Sequence, residues 1–306
     1  MFLRIAVVLA LGWGCGGAPV ANSGKAEPAL ELPAEVLPPR GTLMIGDLHG
    51  TREIPAAVGR VAAAAVARQP VVVALEIPTD MSADVAAFLA SDGSAERRRA
   101  LLAGAWWQER YQDGRRSVAM ADLLETLRGL RAAGKPLDVV VIDPGGTDQE
   151  TREAGMTRNA IAARRARPDA ALIVFAGNSH TSKHEQPYRP GFAWMAMRVA
   201  AAGIPLTSLF ARWEDGTSWT CPDTDAARCG VRFLLGRPAS SSGIHLERDG
   251  DEDPYDGWLG VGSITASPPA AFPDKLAGID AQIAAAWASP DAVALRARRD
   301  AKRQAK

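Results

Sequence analysis

Four short apolar runs, separated by longer segments with helical periodicity, constrain the fold of this 306-residue chain more than any other feature. Each run is rich in aliphatic, often β-branched residues and stands beside proline, glycine or charged residues, which predicts a buried strand. Strands that alternate with helices pair in parallel and carry helices on both faces of their sheet. The predicted strands are residues 42–46, 71–75, 137–142 and 171–176.

The pattern changes after Arg212, where tryptophan and glycine recur in short segments that predict hairpins. One more strand is expected at residues 259–264, and a closing helix at residues 279–287. We therefore expect an α/β fold with a mainly parallel central sheet, helices on both of its faces, and a hairpin-rich C-terminal extension.

The first residues have the form of an export signal, because Arg4 precedes a short apolar run that ends before Cys15. Cys15 with its two following glycines predicts a lipidated cysteine, and an ordinary cleaved signal peptide is the alternative. Proline-rich residues 16–40 are expected to form a flexible tether, residues 41–290 a single domain and residues 291–306 a basic C-terminal tail. The chain is thus predicted to be exported to the cell envelope, where a lipid anchor holds it to a membrane.

The chain has three cysteines. If Cys15 carries a lipid, Cys221 and Cys229 remain, and only a short loop separates them. Two such cysteines usually pair in an oxidising compartment, so we predict a disulfide that closes a surface hairpin. A metal site here would need further thiols or nearby histidines, which this segment lacks.

The charge balance argues against a nucleic-acid partner. Lysine plus arginine number 35 and aspartate plus glutamate number 35, so the formal net charge is zero. A nucleic-acid-binding chain of this size normally carries a basic excess or a basic stripe. We expect a small-molecule or peptide substrate instead.

Polar residues follow the predicted strands directly, always at the carboxyl end. In an open parallel sheet these ends lie along one rim, where ligands bind. Side chains that are far apart in the sequence would therefore meet in one pocket. They are Asp47, His49, Glu76, Asp143 and His180.

This set of side chains suits hydrolysis, because a histidine beside a carboxylate can act as a general base on water. Asp47 and Glu76 would orient His49, or would bind a divalent cation together with it. Arg52 follows the loop that contains His49, and it would pair with a substrate anion or a carboxylate. Structural alternatives stay open, since Asp47 also suits a helix cap and Asp143 a turn.

Four motifs occur in a fixed order across roughly residues 42–184. They are GDLHGTRE at residues 46–53, a strand ending in Glu76, REAGMTRN at residues 152–159 and GNSH at residues 177–180. Their order and spacing resemble those of the erythromycin-esterase-like and ChaN-like haem-binding-uptake families, which are grouped with the Tiki proteases. Asp47 stands where these families usually have glutamate, and Glu153 where they often have aspartate.

The resemblance implies a general base or metal ligand at His49 and a second histidine, His180, that completes the site. The carboxylates that would orient the base or bind a metal are those of Asp47, Glu76 and Glu153. The proposed metal ligands are Asp47, His49 and Glu76, with manganese, zinc or cobalt as the ion. The positions expected on the substrate side are Arg52, Glu153, Asn159 and Asn178.

Members of these families differ in activity, so three hypotheses remain. The first is an envelope hydrolase that cleaves an ester or amide bond, with or without a divalent metal. The second is a lipoprotein that binds haem or another iron-related ligand through an exposed axial residue. The third is a family member whose pocket is only structural. For the second hypothesis, the candidate axial ligands of the haem iron are His180, His184 and Tyr188.

Overall fold

The computed structural model describes residues 30–146, 148–237, 242–247 and 253–304. The predicted export signal and Cys15 lie outside the described residues. Within the described ranges, no helix combines the length and the hydropathy needed to cross a bilayer.

A seven-stranded sheet forms the centre of the fold, in the order β3-β2-β4-β1-β5-β9-β8. All neighbouring strands pair in parallel except β8, which is antiparallel to β9 at one edge. The predicted α/β class with a mainly parallel sheet is confirmed. The strands are β1 (Thr42–Asp47), β2 (Val71–Pro78), β3 (Leu137–Asp143), β4 (Ala171–Gly177), β5 (Thr207–Arg212), β8 (Gly243–His245) and β9 (Gly257–Gly260).

Helices cover both faces of this sheet, as the sequence predicts. Alternate residues of each central strand enter one of two separate cores: Ile45 packs on the side of α1 and α4, and Met44 on the side of α5 and α7. Burial of both faces explains why these strands are apolar throughout. The helices are α1 (Glu53–Val66), α2 (Ser82–Leu89), α3 (Ala95–Leu102), α4 (Val118–Ala132), α5 (Gln149–Ala166), α6 (Asn178–Thr181), α7 (Met195–Ala201), α8 (Pro273–Leu276), α9 (Ile279–Ala288) and α10 (Pro290–Gln304).

The segment after Arg212 contains the predicted hairpin. Strands β6 (Gly216–Thr220) and β7 (Gly230–Leu234) form a separate two-stranded antiparallel sheet. The predicted disulfide between Cys221 and Cys229 is present and links the end of β6 to the beginning of β7. The strand expected at residues 259–264 is placed too far along the chain, because β9 ends at Gly260.

The last part of the predicted tether is not a tether. Leu32, Val36 and Leu37 are buried in the core on the α1 side of the sheet. The Arg68 guanidinium donates to the Leu32 carbonyl at 2.6 Å and to the Leu37 carbonyl at 3.3 Å. The segment forms a turn in which the Val36 amide donates to the Pro33 carbonyl at 3.2 Å, and the burial of the three aliphatic side chains favours its packing against the domain.

The basic C-terminal segment is helical up to Gln304. It forms α10, whose Arg299 pairs with Asp215 at 2.5 Å just before β6. Arg296 donates to the Trp287 carbonyl at 3.1 Å, so α10 also packs against α9.

Candidate functional site

The strand order places the predicted site residues side by side. Strands β3, β2, β4 and β1 are consecutive neighbours in the sheet, and each ends on the same rim. Asp143, Glu76 and Asp47 come from the ends of three of them, and His180 lies in α6, directly after β4. Direct contacts join these side chains into one cluster, as the sequence predicts.

Asp47 and His49 form a dyad at the end of β1. The Nδ1 atom of His49 lies 2.7 Å from Oδ2 of Asp47, and because a carboxylate only accepts, we assign the proton to Nδ1. Nε2 is then left as the basic nitrogen, 3.8 Å from Oε2 of Glu76. The His49 side chain is 26% exposed, whereas those of Asp47 and Glu76 are 4% exposed, so the histidine is the member of this trio that solvent reaches.

Glu76 is the acceptor at the centre of the site. Its Oε2 accepts from the Gly177 amide at 2.6 Å, and its Oε1 accepts from Arg152 at 2.5 Å and from Arg115 at 3.3 Å. The Gly177 amide belongs to the neighbouring strand β4, so the pairing of β4 with β2 places this donor beside the Glu76 carboxylate. A buried carboxylate needs such partners, which is why Glu76 lies between two guanidinium groups.

Two arginines and Asp143 complete an ion-pair network around Glu76. Arg152, on α5, binds Asp143 in a two-point contact at 3.0 and 2.7 Å. Arg115 lies on the loop between α3 and α4 and reaches Asp143 at 3.1 Å. Asp113 of the same loop accepts from Arg115 at 2.9 Å and fixes its direction.

Glu153 and His180 form a second dyad, which is more deeply buried than the first. Oε1 of Glu153 is in close contact with Nδ1 of His180, and Oε2 accepts from the Met195 amide at 2.9 Å. Nε2 of His180 lies 3.1 Å from the Arg152 guanidinium, which can only donate. His180 is therefore assigned as neutral, with its proton on Nδ1 and both ring nitrogens in use.

Burial and neighbouring charges perturb the first dyad. Burial alone would lower the pKa of His49, but the carboxylates of Glu76, Asp47 and Asp113 outweigh it and raise the pKa above the ordinary value of 6.5. Burial raises the pKa of Asp47, and the hydrogen bond from His49 offsets this only in part. One oxygen of Asp47, Oδ1, is buried without a hydrogen-bond partner, which agrees with that direction.

The pKa of Glu76 moves the opposite way. Burial would raise it, but electrostatic interactions with His180, His49, Arg115 and Arg152 hold the pKa of Glu76 well below the ordinary value of 4.5. Glu76 is therefore a fixed negative charge at neutral pH, facing the basic nitrogen of His49.

Three predicted substrate-side residues have other contacts. Arg52 donates to the Ala266 carbonyl at 3.2 Å and lines a separate cavity of about 330 Å³ beside α1 and α4. Asn159 donates to the Ile142 carbonyl at 2.9 Å and so ties α5 to β3. Asn178 contributes its backbone carbonyl to the Tyr255 hydroxyl at 2.9 Å. Of the four predicted positions, only Glu153 contacts the cluster through its side chain.

The predicted haem ligands differ in accessibility. His180 is buried and would have to give up its contacts with Glu153 and Arg152 to bind iron. His184 is exposed and lies beyond α6, which ends at Thr181, so it does not share a helix with His180. Tyr188 is 66% exposed, and its hydroxyl lies 2.5 Å from Oγ of Ser179. Haem binding stays a prediction.

Cation binding by Asp47, His49 and Glu76 stays a prediction, since Nε2 of His49 is free whereas other donor atoms of these residues are engaged. Oε1 of Glu76 is taken by two guanidinium groups, and Nδ1 of His49 is taken by Asp47. Among the described residues, no three His, Cys, Asp or Glu side chains are grouped so that they could hold a metal ion. A cation placed at Glu76 would also lie beside Arg152, and the two positive charges would repel each other.

The sequence did not identify Arg115, Arg152 or Asp113 as residues of the site. Arg152 stands inside the motif at residues 152–159, next to Glu153, and that position was the available signal. Arg115 and Asp113 lie on a loop that follows no strand, so the strand-end argument could not reach them. Only tertiary contacts bring that loop over the end of β2.

The fold and site define the class of protein: an α/β protein with two histidine–carboxylate dyads on the carboxyl rim of a mainly parallel sheet. Two solved structures share this fold. One is a Bacillus cereus protein, 10% identical with a TM-score of 0.53 over 76% of this chain and 91% of that chain. The other is a succinoglycan biosynthesis protein, 9% identical with a TM-score of 0.56 over 76% of this chain and 90% of that chain.

An erythromycin esterase mutant in its open conformation also matches, at 12% identity and a TM-score of 0.47 over 70% of this chain and 80% of that chain. At such identities the likeness is one of fold alone, and it agrees with the α/β fold that the motif resemblance implies. No family model and no curated protein matches the chain.

Proposed function

We propose that this chain is a hydrolase that cleaves an ester or amide bond with water activated by His49. The observation that carries the proposal is the Asp47–His49 dyad, in which Nδ1 is bound at 2.7 Å and Nε2 is the free basic nitrogen. A base of this kind needs an orienting carboxylate on one nitrogen and access to water on the other. The partial exposure of His49 meets the second need.

Glu76 supports the same role electrostatically. When His49 takes a proton from water, Nε2 becomes a cationic N–H that faces the Glu76 carboxylate at 3.8 Å. Because the pKa of Glu76 is held low, this carboxylate is already ionised and stabilises the cation without taking the proton.

The arginines hold this arrangement in place. Arg115 and Arg152 pair with the carboxylates of Glu76 and Asp143 and so compensate for their burial. The proton acquired by His49 can then pass to the departing alcohol or amine, which completes hydrolysis with no net change in the protein. This route uses only residues of the chain.

The location proposed for this hydrolase is the cell envelope, with export and lipid attachment at Cys15. The Cys221–Cys229 disulfide supports an oxidising compartment, because such bonds are rare in reducing ones. Incorporation of labelled palmitate into the full chain, compared with a Cys15→Ser variant, tests the anchor. Equal labelling of the two proteins would overturn it.

The hydrolase proposal is tested with the full chain and two probes, 4-nitrophenyl acetate and a peptide 4-nitroanilide. We expect hydrolysis of at least one probe, and a loss of about 10²- to 10⁴-fold in kcat for His49→Ala. His184→Ala is the matched control, because His184 is exposed and lies beyond the end of α6. Full activity in His49→Ala, or no hydrolysis of either probe by the unaltered chain, would overturn the proposal.

A further inference from the structure

The hairpin formed by β6 and β7 contacts the loop that carries His49. The Trp219 amide donates to the Gly50 carbonyl at 2.9 Å, and the Ser218 hydroxyl donates to the His49 carbonyl at 2.8 Å. Two successive carbonyls of the loop are thereby bound by two successive residues of β6. The backbone that directs the His49 side chain is held from outside the main sheet.

The same hairpin contacts the loop that carries Asp113 and Arg115. The indole Nε1 of Trp219 donates to the Gln112 carbonyl at 3.0 Å, next to Asp113. The Tyr111 hydroxyl donates to the Asp223 carbonyl at 3.0 Å, near the end of the hairpin. Trp219 thus binds one loop through its backbone and the other through its side chain, and it is 3% exposed.

The two loops also touch each other beneath Trp219. A Cβ atom added to Gly114 would lie 2.6 Å from the Gly50 amide nitrogen and 2.8 Å from the Trp219 carbonyl oxygen. A Cβ atom added to Gly50 would lie 2.0 Å from that same carbonyl oxygen. Both glycines have positive φ angles, +97° and +76°, so the contact needs glycine at each position. Three backbone segments therefore meet with no room for a side chain between them.

The disulfide closes this hairpin at its far end. Cys221 follows β6 directly and Cys229 precedes β7 directly, so the bond crosses the connection between the strands. A two-stranded hairpin is marginally stable without further support. A covalent link restricts the conformations that the connection adopts when the strands separate.

We propose that the disulfide-closed hairpin of β6 and β7 positions the two loops that carry His49 and Arg115, with Trp219 as the positioning residue. This role of the hairpin rests on the proposed hydrolase activity for one of its two readouts, the kcat. The other readout, the titration of the His49 ring, needs no substrate. The groups that face His49 in that titration are Asp47, Glu76 and Asp113.

The experiment compares the full chain with Trp219→Phe and with the double variant Cys221→Ser, Cys229→Ser. The ring signals of the four histidines are titrated by NMR, and the His49 signal is assigned by its loss in His49→Ala. We expect the titration of the His49 ring to shift in both variants, because Trp219 and Ser218 no longer hold the loops of His49 and Asp113 in place. We also expect kcat on 4-nitrophenyl acetate to fall by up to about 10²-fold, with KM little changed.

The control is Trp258→Phe, which removes an equally buried indole whose Nε1 has no hydrogen-bond partner. It should leave the His49 titration and kcat unchanged. A His49 titration in Trp219→Phe that matches the control would overturn the proposal, whether or not the chain hydrolyses the probe. If Trp219→Phe does not fold, the double cysteine variant decides in the same way, because it removes no buried tryptophan.

Discussion

Arg152 contacts Asp143, Glu76 and His180, and its removal tests the ion-pair network directly. It binds Asp143 through two atoms at 3.0 and 2.7 Å, Glu76 at 2.5 Å and His180 at 3.1 Å. Arg152→Met keeps the length of the side chain and removes all four contacts. Glu76 and Asp143, both nearly inaccessible to solvent, would then share Arg115 alone.

The magnitude follows from the burial of the partners. Removing one member of a buried ion pair typically costs about 3–5 kcal/mol, because a buried charge is left without compensation. A domain of this size loses about 2–4 °C of melting temperature for each kcal/mol. We expect Arg152→Met to unfold roughly 6–20 °C below the unaltered chain.

Differential scanning calorimetry at neutral pH measures this difference. The matched control is Arg98→Met, which breaks the ion pair with Asp122 at 2.6 Å, in which the Asp122 side chain is 61% exposed. Exposed pairs contribute about 0–1 kcal/mol, so the control should unfold close to the unaltered chain. Equal melting temperatures for Arg152→Met and Arg98→Met would refute the reasoning that Arg152 balances buried carboxylates.

Three further predictions follow from single contacts. The rate of hydrolysis should fall on the acid side at a pH above 6.5, because His49 is active only when unprotonated and its pKa is raised. Asp47→Asn should move this fall in rate to lower pH, and an unchanged pH dependence would contradict the Asp47–His49 dyad. Leu37→Ala should lower the free energy of unfolding by about 2–5 kcal/mol in urea titration, whereas a flexible tether would tolerate it without change. Gly50→Ala should destabilise the chain by more than about 1 kcal/mol, because φ is +76° and the Trp219 carbonyl blocks the new Cβ atom; equal urea midpoints would disprove this close contact.

Stability should depend on pH through two groups with opposite signs. Glu76 has a lowered pKa, so its contribution is complete above its ordinary value of 4.5 and is lost as the pH falls through its lower folded value. His49 has a raised pKa, so its contribution is complete below 6.5 and is lost as the pH rises through its higher folded value.

Local sequence pattern was sufficient to predict the sheet and the rim on which the site lies. Strands such as β1 and β4 are buried on both faces, and this condition requires continuous apolar runs that are easy to read. A polar residue at the carboxyl end of such a strand lies on the carboxyl rim of the sheet. The sequence therefore predicts that the side chains of Asp47, Glu76 and His180 meet there.

Only the tertiary structure decided which charges balance these carboxylates and which segments hold the loops. Arg115 and Trp219 reach the site from segments with no periodic pattern, and their partners Glu76 and Gln112 lie 39 and 107 residues away in the chain. The same limit explains the error at Leu37, where prolines suggest a linker and burial depends on a docking surface provided by the domain. Periodicity reports which face of an element is buried, whereas the pairing of buried charges depends on distances between elements that the sequence does not record.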